Sequence, residues 1–367
     1  MEAFVKLDKH PALPPPATVA GPIALVKQRL FYSPLAGLVS VIGIALGLYL
    51  IGRLLGWAVF NAVWHGDSRA ACTDANGALL PGACWPFIGH RLGQFIYGFY
   101  PLAQRWRVDL AAALLVVSVL LFLKTQARWF VAALYPVLAY ILLYGGVFAL
   151  PEVKTSNWGG LLLTVVVALV GIVGSLPLGI LLALGRRSTL PLLRWLAIGF
   201  IELVRAVPLI TVLFMASVML PLFLPPGVNF DKLLRALIGM ALFSAAYMAE
   251  VVRGGLQAIP KGQYEAASSL GLGYWRTMRL VVLPQALRIA IPGIVNTFIG
   301  LAKDTTLVAA IGLFDLIGIV SAASADSHWL GFTTEGYVFI ALIFWILCFG
   351  MSRYSAHLER RLEGGRQ

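Results

Sequence analysis

Charge is scarce in this chain. Asp, Glu, Lys and Arg make up 12% of its 367 residues, about half of the roughly 25% that a soluble globular domain carries. That excludes a soluble fold of this size. Cysteine is scarcer, at three residues, too few for a disulfide scaffold. No Cys-x-x-Cys, His-Glu-x-x-His or Gly-x-Ser-x-Gly spacing occurs. The five histidines, His10, His65, His90, His328 and His357, lie scattered in what read as tails and loops. We therefore expect no metal site and no catalytic residues. The dipeptide Gly-Lys never occurs, so the phosphate-cradling pattern Gly-x4-Gly-Lys-Ser/Thr is absent. Any nucleotide hydrolysis linked to this protein belongs to another chain.

What the sequence has in abundance is apolar length. Hydrophobic residues reach 60%, and several runs approach the roughly 20 residues needed to cross a bilayer. The candidate spans are 35–57, 109–123, 129–150, 161–184, 197–222, 233–251, 286–303 and 337–353, eight in all. Helices are expected throughout, because lipid forces a backbone to satisfy its own hydrogen bonds. The runs lack the polar–apolar alternation of a β-barrel. The span 109–123 is the shortest, running unbroken only from Leu110 to Leu123, and parity of the connecting segments supports it. Residues 307–320 are apolar too, but "KDTT" sets them apart, and they read as a shallow helix near the outer face.

The excess of 28 Lys and Arg over 16 Asp and Glu would suit nucleic acid. These residues instead sit at the ends of apolar runs, where topology requires them. With the N-terminus inside, eighteen fall in inner segments and seven in outer ones, among them Arg235. This places both termini and residues 252–288 in the cytoplasm. Residues 1–34 are polar and proline-rich, too long and too acidic at their start for a signal peptide, and read as a disordered tail. Residues 356–367 read as a second tail. The outer loop 58–108 carries Cys72 and Cys84 around "TDANGALLPGA". An oxidising exterior permits a disulfide there, and Asn-Gly and Pro-Gly supply a turn; two free thiols are the alternative.

Inside the cytoplasmic loop, Pro260, Gly262 and Gly271 bracket the helix formers "QYEAASSL". Gly271 suits a helix C-cap. Gly254, Gly255 and Gly262 suit close packing and turns. Pro284 is expected to break a second, basic helix, "YWRTMRLVVL", lying at the membrane surface with Tyr274 and Trp275 at the interface. Glu265-Ala266-Ala267 is followed after three intervening residues by Gly271, and after nine more by Val281-x-Leu283-Pro284.

That spacing resembles the signature loop of permease subunits of bacterial ABC importers. "YMAEVVRGGLQAIPKGQYEAASSLGLG", "FIELVRAVPLITVLF" and "LPQALRIAIPGIVNTFIGLAKDTTLVAAIG" are similar to the importers of polar amino acids. The sequence departs where that family often has Arg-Gly-Thr-Pro and Lys-Asp-Thr-Ser. The extra N-terminal spans resemble the second permease of the general L-amino-acid transporter. The resemblance implies an all-α polytopic membrane protein: a five-helix type I core over 151–355, preceded by three extra helices in 35–150 with a periplasmic loop at 58–108. It implies that 252–288 is a coupling loop, with Gly262, Tyr264, Glu265, Ala266, Ala267 and Gly271 meeting an ATPase. It also implies the partners: an ATP-binding cassette dimer holding ATP and magnesium, a related second permease, a periplasmic amino-acid-binding protein and an amino-acid substrate. The location implied is the bacterial inner membrane.

Charges inside a membrane cost about 2.5–3.5 kcal/mol at a helix centre and mark a path or a partner. Glu202 and Arg205, three apart, can pair on one helical face. Asn296, Gly300 and Lys303 or Asp304 share a stripe. An amino-acid zwitterion needs an acceptor for its ammonium, Asp304 or Glu202, and a donor for its carboxylate, Arg205 or Lys303. The rival readings are a secondary transporter, which would show internal repeats not evident here, and a membrane scaffold or sensor. Dependence on ATP and on a separate ATPase discriminates them.

Overall fold

A computed structural model describes residues 30–124, 128–225, 227 and 230–363. Most of the expected tail 1–34, and the last four residues of the tail 356–367, lie outside them. All regular structure among the described residues is helical. The chain forms two units, Met1–Trp64 with Cys72–Cys84, and His65–Ala71 with Trp85–Gln367.

The first unit holds α1, Pro34–Leu55, started by Ser33, whose Oγ accepts from the Ala36 N–H at 3.2 Å. A π turn, Gly56–Phe60, extends it. Cys72 and Cys84 are joined in a disulfide. Between them Asp74 turns the chain by accepting from the Asn76 and Ala78 N–H groups, each at 2.9 Å. The loop is tied to the end of the α1 helix, with the Ala83 N–H bonded to the Trp57 carbonyl at 2.9 Å.

In the second unit, part of the expected outer loop is helical. Residues Trp85–Tyr97 form α2, with Phe87, Ile88 and Phe95 buried. Phe87 packs on Trp329 at 5.9 Å, and Phe95 packs on Phe339 at 5.6 Å. His90 thus lies on a helix rather than in a loop, stacked on Trp329 at 5.6 Å. Interleaved Gly89, His90, Arg91 and Gln94 keep the segment too polar to read as a span. Next come α3, Arg105–Lys124, and α4, Arg128–Tyr144. The expected span 129–150 stops at Tyr144, because Gly145 and Gly146 take left-handed φ values of 79° and 78°. The buried Arg107 guanidinium donates to the Leu142 and Pro151 carbonyls there, favourable at a helix C-terminus.

The centre of the unit is α5, Gly160–Arg186, packed on α8, Lys232–Gln257. Gly171, Ser175, Gly179 and Ala183 recur every fourth residue and are all buried. A Cβ at Gly179 would overlap Met248. Small residues let helix backbones approach where lipid gives no hydrophobic drive. Arg235, counted with the outer segments, lies in the first turn of α8, where it is buried and donates to the Ser217 carbonyl at 2.7 Å.

The expected single span 197–222 is two helices. α6, Pro191–Ala206, and α7, Leu209–Phe214, extended by a π turn to Met219 and a 3-10 turn to Phe223, meet at 105°. Val207 is extended (φ −109°, ψ 138°), as a residue before proline prefers. After α9, Lys261–Ser269, the chain forms α10, Tyr274–Thr277, a π turn, Met278–Val282, and α11, Leu283–Asp304. These last three run on as one helix, so Pro284 does not end the basic segment. The apolar stretch 307–320 is also divided. A 3-10 turn runs to Ile311, Gly312 is left-handed at φ 72°, and a separate helix follows, α12, Leu316–Ser324, which is largely buried. Its N-cap Asp315 is fully buried and accepts from the Gly318 and Ile317 N–H groups. Burial outweighs these bonds and pushes its carboxyl up to about 6. Last comes α13, Thr333–Glu363, so the expected tail from 356 is helical through Glu363.

By length and hydropathy five helical segments among the described residues can cross a membrane, or six with the bent pair as one span. Adding the 20-residue α3 and the 17-residue α4 gives the eight expected.

Candidate functional site

A cavity of about 660 Å³ opens where α6 breaks. The residues Arg205–Leu209 form one wall, Phe243, Ser244 and Tyr247 of α8 a second, and Asn296, Thr297, Gly300, Leu301 and Asp304 of α11 a third, with Leu307 beside them. Irregular backbone at membrane depth is tolerated where it lines such a space. Four residues from the sequence reading meet here, Arg205, Asn296, Gly300 and Asp304. Glu202 and Lys303 do not line the cavity. The stripe Asn296–Gly300–Asp304 is one helical face, and Lys303, one position off it, is exposed.

Glu202 and Arg205 do not pair with each other. The Arg186 guanidinium, from the end of α5, donates to Glu202 at 3.0 Å and to Glu250 on α8 at 2.7 Å. Arg253 donates to the other Glu250 oxygen at 2.8 Å. Arg205 stands 3.8 Å from Glu250, beyond hydrogen-bond length, with its guanidinium carbon 5.7 Å from the Tyr247 ring centroid. Three arginines thus meet two glutamates. The most loosely held cation, Arg205, is the one that faces the cavity. Helix spacing within α6 suggested a local pair, but Arg186 and Glu250 from neighbouring helices supply closer partners. Sequence reasoning missed Tyr247, Ser244 and Thr297. The offset of four between Phe243 and Tyr247 was a weak signal for a shared face.

The second site is α9. Pro260 precedes it, and Gly271, at φ 74°, ends it. The Leu272 N–H bonds to the Ala267 carbonyl at 3.1 Å, and the Gly271 N–H to the Ser268 carbonyl at 2.9 Å. That double bond pattern is a Schellman cap, whose left-handed residue favours glycine. Ala267 is buried, whereas Glu265 and Ala266 are exposed. Tyr264 packs on the cluster of Met248, Val252, Met278 and Val282. Gly255 packs closely, since a Cβ there would overlap the Ala286 carbonyl; Gly254 and Gly262 face open space, and the reading of close packing fails for them. Gln285 donates to Gln263 at 3.0 Å and to the Val281 carbonyl at 2.9 Å, joining α9 to α11.

The family described as binding-protein-dependent transport system inner membrane component matches residues 175–364. The chain is 55% identical to the inner membrane amino-acid ABC transporter permease protein YhdY of Escherichia coli (strain K12), over 98% of each chain. It is 41% identical to the glutamate/glutamine/aspartate/asparagine transport system permease protein BztC of Rhodobacter capsulatus, again over 98% of each. A crystal structure of an amino acid ABC transporter with histidines is 30% identical, with a TM-score of 0.49, covering 55% of this chain and 92% of that one.

Proposed function

The chain belongs to the family of binding-protein-dependent transport system inner membrane components, and from that premise we propose that it is the membrane subunit of an ATP-driven importer of L-amino acids. It works beside a related second permease, as in a general L-amino-acid transporter, in the bacterial inner membrane with both termini cytoplasmic. A periplasmic binding protein delivers the cargo. A dimeric ATPase holds ATP and magnesium, since this sequence contains no phosphate-cradling loop.

The observation that carries the cargo reading is the cavity at the break of α6, which holds one under-paired arginine and one aspartate. Arg205 takes the substrate carboxylate and Asp304 its ammonium. The permeases named above, similar over 98% of their lengths, carry amino-acid transport in their names. Glu202 is engaged by Arg186 and Lys303 is off the cavity face, which leaves Arg205 and Asp304 for these roles.

The ATPase reading rests on α9. Its glycine cap fixes where the helix stops, and its exposed Glu265 makes no side-chain bond among the described residues. The ATPase grips α9, and the unbroken α10–α11 helix carries its motion to the cavity. Only a difference in contact between the two ATPase states can bias the spans. The test is a pull-down from detergent-solubilised membranes, wild type beside Glu265→Lys. Wild type brings down an ATPase and a second permease, and the variant loses only the ATPase. Absence of any ATPase from the wild-type sample, with uptake driven by an ion gradient alone, overturns the reading.

A further inference from the structure

Two arginines end α5, and they point their bonds in different directions. Arg186 enters the ion-pair group beside the cavity, bonded to Glu202 and to Glu250, which also faces Arg205. Arg187 turns toward α9. Its guanidinium donates to the Tyr264 hydroxyl at 3.3 Å and to the Leu256 carbonyl at 3.4 Å, with its carbon 5.9 Å from the Tyr264 ring centroid. Leu256 belongs to the last turn of α8. One side chain therefore touches the C-terminal end of α8 and the middle of α9, and is itself fixed to α5. The backbone of α9 packs chiefly against residues 274–282.

We propose that Arg187 is a positioning residue for energy transfer, clamping the coupling helix α9 to α5, and that its neighbour Arg186 continues the connection to the cavity. This rests on the reading of α9 as the ATPase contact. The physical case is one of geometry. A planar guanidinium can lie against an aromatic ring and fork hydrogen bonds to two acceptors, which a lysine ammonium does less well. Adjacent residues on a helix point about 100° apart. Arg186 and Arg187 can thus serve two different partners while moving as one rigid end. A displacement of Tyr264 is passed to the end of α5, and Arg186 carries it to Glu250, the residue that competes for Arg205. The cavity and α9 then share one mechanical element rather than a diffuse contact.

The experiment uses the whole complex, with its ATPase and second permease, purified and reconstituted in lipid vesicles with loaded binding protein. Arg187→Ala, Arg187→Lys, Tyr264→Ala and the double variant Arg187→Ala with Tyr264→Ala are compared per amount of inserted protein. The expected result for Arg187→Ala is an ATPase that stays bound and hydrolyses ATP without stimulation by loaded binding protein, with uptake lowered about tenfold, the equivalent of roughly 1.4 kcal/mol. Arg187→Lys restores less than half of that uptake. The double variant is no worse than the more impaired of the two single variants, because both act through one contact. Uptake and stimulation equal to wild type in Arg187→Ala overturn the proposal. So do full rescue by lysine, additive losses in the double variant, and loss of uptake that tracks loss of inserted protein. A wild-type complex that retains no ATPase fails the coupling reading itself, a result separate from any of these.

Discussion

Pro208 and Pro284 each stand at the junction of a helix bearing basic residues and an apolar one, and the chain treats them in opposite ways. At Pro208 the helix axis turns through 105°. At Pro284 the helix continues for more than five turns, to Asp304. Both prolines lack the N–H that a helix interior requires. At Pro284 the bonding is rearranged: the π turn Met278–Val282 shifts the ladder, and the side-chain amide of Gln285 bonds the Val281 carbonyl at 2.9 Å. The segment is also held by packing, with Val282 and Ala286 fully buried. At Pro208 the preceding residue is β-branched and extended, and the broken backbone lies on a cavity. A proline thus ends a helix where the vacated space has a use and is absorbed where packing demands continuity. The break forms a cavity wall, and the unbroken helix runs from beside α9 to that cavity.

The largest expected effect falls on the charges at the broken end. Arg205→Gln and Asp304→Asn each lower amino-acid uptake in vesicles by about 10- to 100-fold, the factor for losing a charged hydrogen bond worth about 1.5–3 kcal/mol. Glu202→Gln, whose carboxylate serves Arg186 instead, lowers it less. Equal losses for all three would remove the distinction between cavity and ion-pair group. The prolines themselves come next. Pro208→Ala relieves the restriction on Val207, and uptake falls severalfold as the bend straightens. Labelling of Val207→Cys by a water-soluble thiol reagent, in a Cys348→Ser background, falls with it. Pro284→Ala stays within about twofold of wild type, in keeping with substitutions worth about 0.5 kcal/mol. Bend and labelling unchanged in Pro208→Ala would show that packing alone makes the break.

A third interruption, at Gly312–Asp315, sharpens the comparison, because a buried carboxyl rather than a proline begins the next helix. The carboxyl of Asp315 is pushed up to about 6 in the fold from its ordinary 3.8. A raised acid favours the neutral form in the folded state. Its stabilisation is present below pH 3.8 and is lost as the pH rises through about 6. Asp315→Asn keeps a side-chain acceptor for the cap without the charge. Thermal unfolding in detergent is expected to show the variant more stable at pH 7.5, by at most about 3 kcal/mol, and little different at pH 4. A variant less stable at both values would show that the carboxylate is needed as such.

Much of this was legible in the residues. The scarcity of charge and the apolar runs marked the spans, and the pattern from Glu265 to Pro284 marked α9 and its end, because a glycine at φ 74° is demanded by the cap and visible in the sequence. Helix α2 was not legible, since its apolar face is diluted by His90, Arg91 and Gln94 and shows only by what it packs on. The pairing of Glu202 was misread because local spacing offered Arg205, three residues away. Arg186, 16 residues earlier, makes the actual bond at 3.0 Å. Tyr247 and the roles of Arg186 and Arg187 went unnoticed because two basic residues after a span read equally well as topology markers.

That the chain is helical and crosses a membrane, and where α9 stops, could be read from the residues alone. Those properties depend on residue type and short-range order: transfer out of water, backbone bonds satisfied within a helix, and a left-handed position that favours glycine. Which charges are engaged, which proline bends the chain and which residues share the cavity follow only from how the helices pack. Each depends on partners distant in sequence. Glu250 decides whether Arg205 is bound, and the walls from α8 and α11 make a space of the break at Pro208. No spacing rule within one helix carries that information.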